Sequence, residues 1–287
     1  MHRRHCLRLM STVPLLGAPA PLPAAEKAAF FRPAICAYSF RNELKSGEMT
    51  YADILHMAAD TGADGVDLTA YWLPNTEDET LFALKKLAYK LSVSIYSAGI
   101  RARMAQPTAA LRDAEVESVR QWLDAAQRLG ASQIRIFGGD VPKGATEEQA
   151  STWAVETLKR CADEAAHKGI MLAVEDDGGI TTTAEQTLRL VKGAASPWVG
   201  VNLDVGNFET DAYRQIDLCA PLACNVHIKS RVRQNGKEES ADWARILGML
   251  HRHGYRGYLA IEYELESDPR TGVPKLIRRL REAIQRA

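Results

Sequence analysis

Four short apolar runs in the C-terminal half of this 287-residue chain each end on a side chain able to bind a metal. They are Leu172-Ala173-Val174-Glu175, Val201-Asn202-Leu203-Asp204, Asn225-Val226-His227 and Leu259-Ala260-Ile261-Glu262. One carboxylate at the end of an apolar run is ordinarily a solvated loop residue or a helix cap. Four ligand types at four successive run ends indicate a shared purpose, because the parallel strands of a closed barrel deliver their C-terminal residues to one mouth. Three oxygen donors and one imidazole suit Mn2+ first, then Mg2+ or Co2+, better than they suit a thiolate-type zinc site, with Zn2+ still among the candidates. A carboxylate bound to such an ion through one oxygen can use the other as a base. Sugar chemistry by proton transfer is therefore open to this set.

The elements that must position these residues are legible as a repeat. From about residue 34 onward, apolar β-type runs alternate with amphipathic stretches every 20 to 40 residues or so. Strands are expected near 34–39, 64–69, 92–97, 132–137, 170–175, 198–203, 223–228 and 258–262. Helices are expected near 50–61, 77–91, 108–129, 146–168, 182–193, 209–219, 241–253 and 273–286. Thr146 with Gln149 and Thr182 with Glu185 have capping-box spacing, and Gly130, Gly169 and Gly254 stand where helices would stop. Trp122, Ala125, Ala126 and Leu129 have the spacing of a helix laid on a sheet. Eight β-α units predict a single (β/α)8 TIM barrel over 26–287, with Glu175, Asp204, His227 and Glu262 ending strands five to eight. A doubly wound open sheet is the rival, but no Gly-x-Gly-x-x-Gly turn follows the first strand.

The runs Leu172 to Asp176, Leu203-Asp204-Val205-Gly206-Asn207, Val226-His227-Ile228-Lys229 and Gly254 to Glu264 resemble the motifs of the sugar phosphate isomerase/epimerase family. That family belongs to the xylose-isomerase-like barrels, alongside ketose 3-epimerases. The resemblance covers nearly all of the chain from residue 34. It implies that Glu175, Asp204, His227 and Glu262 hold one divalent ion and that Glu175 and Glu262 also move protons. A divalent ion chelating the carbonyl and adjacent hydroxyl of a ketose would stabilise the enediolate left when the neighbouring C–H proton departs. Return of that proton to the opposite face is epimerisation, and return to the next carbon is isomerisation. Two departures from the family pattern stand out. Asp176 and Asp177 follow Glu175 where Asn and often His are usual, and Ser230 follows Lys229 where Asp is common.

Further residues are placed by the same topology. Lys229, Asn207 and Arg231 follow ligand-bearing strands and are candidates for substrate contact, as are Tyr38, Phe40, Trp72 and Phe137 at or just beyond the ends of strands one, two and four, with Asp67 and Arg101 expected to line the same mouth. His56, His167, His251 and His253 fall on helices away from the mouth. Two other functions use the same parts: a metal-dependent lyase performing β-elimination on a 3-keto sugar or glycoside, and a non-catalytic sugar-binding protein. A trinuclear-zinc nuclease would need more strand-end histidines than His227. Lys plus Arg and Asp plus Glu both total 36, which gives no field for nucleic acid, so the expected partner is a small sugar, with homo-oligomerisation left open.

The first 25 residues read as a removable address. His2-Arg3-Arg4-His5 precedes a moderately apolar stretch from Leu7 to Leu16 and a small, Pro-rich stretch to Ala25, and Arg3-Arg4-His5-Cys6-Leu7-Arg8 resembles a twin-arginine export signal. Pro14, Pro19, Pro21 and Pro23 break it too often for a stable membrane span. Export to the periplasm is expected, with a cytoplasmic protein carrying a disordered tail as the alternative. Cys36, Cys161, Cys219 and Cys224 fall in or beside core elements and are expected as buried free thiols, a Cys219–Cys224 disulfide being the lesser option.

Overall fold

Alternation within the strands decides the architecture. In Gln133-Ile134-Arg135-Ile136-Phe137, Val201-Asn202-Leu203-Asp204 and Asn225-Val226-His227-Ile228, one residue of each pair is aliphatic and the other polar or aromatic. Successive side chains on a strand face opposite sides, so each strand offers an oily face to helices and a chemical face to whatever it encloses. The computed structural model describes residues 31–287; the export signal expected over 1–25 lies outside the described residues. The strands are β1 (Arg32–Cys36), β2 (Gly65–Thr69), β3 (Ser94–Arg103), β4 (Gln133–Phe137), β5 (Met171–Glu175), β6 (Val199–Asp204), β7 (Ala223–Ile228), the hairpin pair β8 (Arg231–Gln234) and β9 (Lys237–Ser240), and β10 (Tyr258–Ile261). All but the hairpin close into an eight-stranded parallel barrel in the order β1-β10-β7-β6-β5-β4-β3-β2. This is the (β/α)8 barrel that the repeat predicts.

Helices α1 (Arg41–Ser46), α2 (Tyr51–Thr61), α3 (Asp78–Lys90), α4 (Ala109–Leu129), α5 (Glu147–Lys168), α6 (Ala184–Ala194), α7 (Ala212–Cys219), α8 (Trp243–Arg252) and α9 (Pro269–Arg286) surround it. Their apolar stripes, exemplified by Leu123, Leu158, Leu190, Ile216, Leu250 and Leu280, form one buried cluster with Leu68, Ile136, Val174, Leu203, Val226 and Ile261 of the barrel's outer face. Inside, Tyr96 and Tyr258 stack with ring centroids 3.7 Å apart, beside Ala34 and Ala260.

Local signals hold with a few shifts. Thr146 and Gln149 make their reciprocal capping box, but the box before α6 is Thr183 with Gln186, one residue later than the spacing of Thr182 and Glu185 suggests. Gly130 and Gly169 take the left-handed conformation that ends α4 and α5. β1 stops at Cys36, and the chain turns through residues 37–40 into α1. That turn leaves Phe40 fully buried rather than at the mouth. The exposed β8–β9 hairpin was not foreseen, because it contributes only Val232 to the core. All four described cysteines are free.

Candidate metal centre

Glu175 ends β5, Asp204 ends β6, His227 lies near the end of β7, and Glu262 follows β10. These strands are neighbours, so the four side chains meet: their ligand atoms all lie within 4.8 Å of one another, and all four residues are buried. His227 is the hub. Its Nδ1 is 2.9 Å from Glu262 Oε2, 3.1 Å from Glu175 Oε1 and 3.8 Å from Asp204 Oδ2. Oxygen and nitrogen ligands about 2.0 to 2.2 Å from one ion stand roughly 3 Å or more apart, and these spacings fit that pattern. Asp204 Oδ2 is buried and accepts no hydrogen bond, so it has a lone pair to give. The donor set thus fits a divalent ion.

The residues that aim these ligands form the barrel's inner polar layer. His227 Nε2 faces Asp67 Oδ2 at 2.9 Å. With the ring proton on that nitrogen, Nδ1 keeps a free lone pair, the usual arrangement behind a metal-bound histidine. Asn225 Nδ2 donates to Asp67 Oδ2 at 2.8 Å and to Asn202 Oδ1 at 2.7 Å, while Asn202 Nδ2 donates to Glu175 Oε1 at 2.9 Å. Tyr96 closes the chain by donating its hydroxyl to Asn225 Oδ1 at 3.1 Å. Asp67, expected at the mouth, stands behind the histidine instead. Asp176 is buried and accepts the backbone N–H of Asp204 at 2.7 Å, which brackets the ligand strand.

Two cations hold the outer oxygens. Arg135 Nε lies 3.2 Å from Glu175 Oε2, and Gly99 makes room for it, since a Cβ there would stand 2.8 Å from the guanidinium. Lys229 Nζ lies 3.1 Å from Asp204 Oδ2, 3.3 Å from Glu262 Oε1 and 2.5 Å from Glu264 Oε2, and donates to Asn207 Oδ1 at 2.8 Å. Gly206 is its passage: a Cβ would meet Lys229 Cδ at 2.6 Å.

Burial strains this cluster electrically. It raises the Asp204 carboxyl to about 7, Lys229 opposing and Glu262 reinforcing the effect. It works against charge on Glu262 as well, but Lys229 and His227 outweigh it and hold that carboxyl well below the ordinary range. Burial also opposes the imidazolium of His227, yet Cys36, Glu262 and Asp67 together lift it well above the usual value. Burial pushes the Cys36 thiol to about 12, so it stays protonated and donates to Glu262 Oε2 at 3.2 Å. Asp177, raised to about 6 by burial and by Glu175, faces the open side.

That open side is a cavity of about 470 Å³, reached by Glu175 and Glu262 and lined also by Tyr38, Trp72, Arg101, Asn207 and Lys229. Of the residues singled out for substrate contact, Phe40 and Asp67 are buried away from this cavity, and Arg231 sits on the hairpin, paired with Glu238, where it lines a smaller neighbouring cavity. Arg135, Tyr71 and Asn202 escaped sequence reasoning. The signal for Arg135 and Asn202 was the polar residue of an inner pair, two positions before the strand end, where attention to strand ends alone does not look; Tyr71 lies in the short turn after β2.

Comparison with known proteins fits this geometry. A family model described as a xylose isomerase-like TIM barrel matches residues 55–283. A protein of Escherichia coli (strain K12), provisionally named as an L-ribulose-5-phosphate 3-epimerase, is 27% identical over 168 residues, which span 53% of this chain and 59% of that relative. A D-psicose 3-epimerase from Clostridium cellulolyticum H10, solved with D-tagatose, superposes with a TM-score of 0.70 at 18% identity, covering 89% of this chain and 96% of that one. An L-ribulose 3-epimerase superposes at 0.67 with 20% identity, covering 88% and 98%. At these identities the superpositions establish the shared fold.

Proposed function

This chain belongs to the xylose isomerase-like TIM-barrel family, and from that premise we propose that it is a divalent-metal-dependent sugar epimerase or isomerase acting on a ketose or keto-sugar. The observation that carries the proposal is the convergence of Glu175, Asp204, His227 and Glu262 in one buried cluster that reaches the cavity through Glu175 and Glu262. When bound, a divalent ion, Mn2+ foremost, supplies Lewis-acid polarisation of the carbonyl and adjacent hydroxyl.

The chain supplies the rest. Glu175 and Glu262 come from the two ends of the four-strand arc β5-β6-β7-β10, so they flank whatever sits between them. Each turns one oxygen toward His227 and leaves the other with a cation, Arg135 for Glu175 and Lys229 for Glu262. One carboxylate takes the C–H proton through its outer oxygen, and the other returns a proton from the far side. Asn207 and Lys229 stand where sugar hydroxyls would be received, and Tyr38 and Trp72 offer apolar ring faces to sugar C–H surfaces. The Pro-rich basic leader over 1–25 makes the periplasm the proposed compartment, to be checked by fractionation.

The test is to load the protein with Mn2+ and follow solvent deuterium entry into a panel of neutral and acidic ketoses and keto-glycosides. Deuterium entry with the carbon skeleton retained supports the proposal, whereas release of an aglycone or unsaturated product supports the lyase. Glu262→Gln should lower exchange by about 10² to 10⁴-fold. Exchange at the wild-type rate in that variant would refute the assignment.

A further inference from the structure

The main cavity is divided chemically. Its β5-to-β10 side carries Glu175 and Glu262, with Asp204 and His227 of the same cluster buried beside them. Its β1-to-β3 side carries Tyr38, Tyr71 and Trp72, packed on one another with ring centroids 5.5 to 6.5 Å apart, together with Arg41, Lys45 and Arg101. The other cations at this mouth are already taken. Arg135 pairs with Glu175, Arg103 with Asp140, and Lys229 with Asp204, Glu262 and Glu264. Among the described residues, Arg41, Lys45 and Arg101 have no carboxylate in ion-pair range.

Two of these three are held in place. The Arg101 guanidinium lies 3.9 Å over the ring of Tyr71, whose hydroxyl is fixed by Arg135 Nη1 at 2.5 Å. Arg41 lies 5.2 Å over the ring of Tyr38 and uses one N–H on the Tyr263 carbonyl at 3.2 Å. Cations lining the cavity already outnumber the carboxylates, and a divalent ion in the ligand cluster would widen that excess. A neutral sugar would cover these guanidinium groups without giving them an anion, which costs desolvation without return.

We propose that the substrate is a keto sugar ending in a carboxylate, with its reacting carbons over Glu175 and Glu262 and its carboxylate against Arg101, flanked by Arg41 and Lys45. This rests on the proton-transfer function proposed above. A planar guanidinium stacked on a ring presents its edge to a planar carboxylate in a two-pronged contact. Barrels that take phosphate commonly do so at the loops after the last two strands. Here that side sets Glu238, Glu262 and Glu264 against Lys229, Arg231 and Arg233, with Lys229 and Arg231 already paired, so a dianion finds no net positive field there.

The experiment compares three substrates on one carbon skeleton, a neutral ketose, its terminal carboxylate and its terminal phosphate ester, using the Mn2+-loaded full chain and solvent deuterium exchange. We expect the carboxylate to lead the neutral ketose by about tenfold to a hundredfold in kcat/KM, the range set by a hydrogen bond to a charged group. Added salt should shrink that lead. Arg101→Gln, at an exposed position outside the core, should bring the ratio of the two substrates close to one. Equal kcat/KM for neutral and carboxylated substrates, or a lead for the phosphate ester, overturns the proposal. Titrating the same loaded protein with gluconate and with sorbitol separates the two ideas. If no sugar exchanges deuterium but gluconate binds more tightly in an Arg101-dependent way, the anion subsite stands and the proton-transfer function falls. Equal binding of gluconate and sorbitol removes the subsite.

Discussion

Replacing Asp67 by Asn probes the site from behind, without touching a ligand. In the protein, Asp67 Oδ2 faces His227 Nε2 at 2.9 Å and accepts Asn225 Nδ2 at 2.8 Å, in surroundings 1% exposed. An amide can accept from both donors only at the expense of its own N–H groups. If Asn at position 67 turns its oxygen to both donors, its own N–H groups lose any acceptor nearby; if it turns its nitrogen inward, it confronts two donors. Asn225 cannot flip to relieve this, because its Nδ2 also serves Asn202 Oδ1 at 2.7 Å and its Oδ1 accepts from Tyr96. One buried polar group is therefore left without a partner, at a cost of about 1 to 3 kcal/mol in stability. His227 also loses the negative charge that fixes its ring proton on Nε2, and loss of such a partner typically weakens metal binding by about 10 to 100-fold, or about 1.4 to 2.7 kcal/mol. Calorimetric titration with Mn2+ and urea unfolding of the metal-free protein measure the two effects separately. Wild-type Mn2+ affinity in Asp67→Asn would refute the idea that Nδ1 of His227 is the ligating nitrogen.

Two further outcomes follow from the charges around the ligands. Asp204, raised to about 7, and His227, lifted well above its usual value, must each lose a proton to bind a cation. Mn2+ affinity should therefore already fall as pH drops toward 7, where His227 alone is protonated, and fall more steeply below 7, where more than one proton is released per ion; a flat affinity between pH 5.5 and 7 would contradict this. For the buried Arg135–Glu175 pair, 4% and 6% exposed, Arg135→Met takes the cation from Glu175 Oε2 and should cost about 3 to 5 kcal/mol in urea unfolding of the metal-free protein, while a loss below about 1 kcal/mol would show that Asn202 and His227 on the other oxygen suffice to hold the charge.

Much of this design was written in plain view. The eight strands could be placed because each outer face is a run of aliphatic residues broken at helical caps, and the four ligands could be named because a parallel barrel lines up strand ends. The supporting layer was harder. Asn202 and Asn225 look like ordinary polar interruptions of apolar strands until the barrel closes and joins them to Asp67, which is 158 residues from Asn225 in sequence. Arg135 reads as an unfavourable charge in a strand, and only closure brings it to Glu175. Asp176 reads in the sequence only as a departure from the family pattern just after a strand end, yet it is buried and accepts the Asp204 backbone N–H. Arg231 is a different case: it lies on an exposed hairpin, paired with Glu238 beside a smaller neighbouring cavity, and in Arg-Val-Arg-Gln-Asn-Gly only the Asn-Gly turn signals a hairpin.

The partition of the cavity has a consequence for how such a protein can change. The arc that carries the candidate ligands and the ring-and-guanidinium wall are built from separate stretches of polypeptide, after residue 170 and before residue 104, with Arg135 standing between them. If the proposed function holds, exchanging the loops around Tyr38, Trp72 and Arg101 redirects it to new molecules while the candidate ligands stay intact. Laboratory evolution of selectivity in this scaffold should concentrate its useful mutations in that first third of the chain.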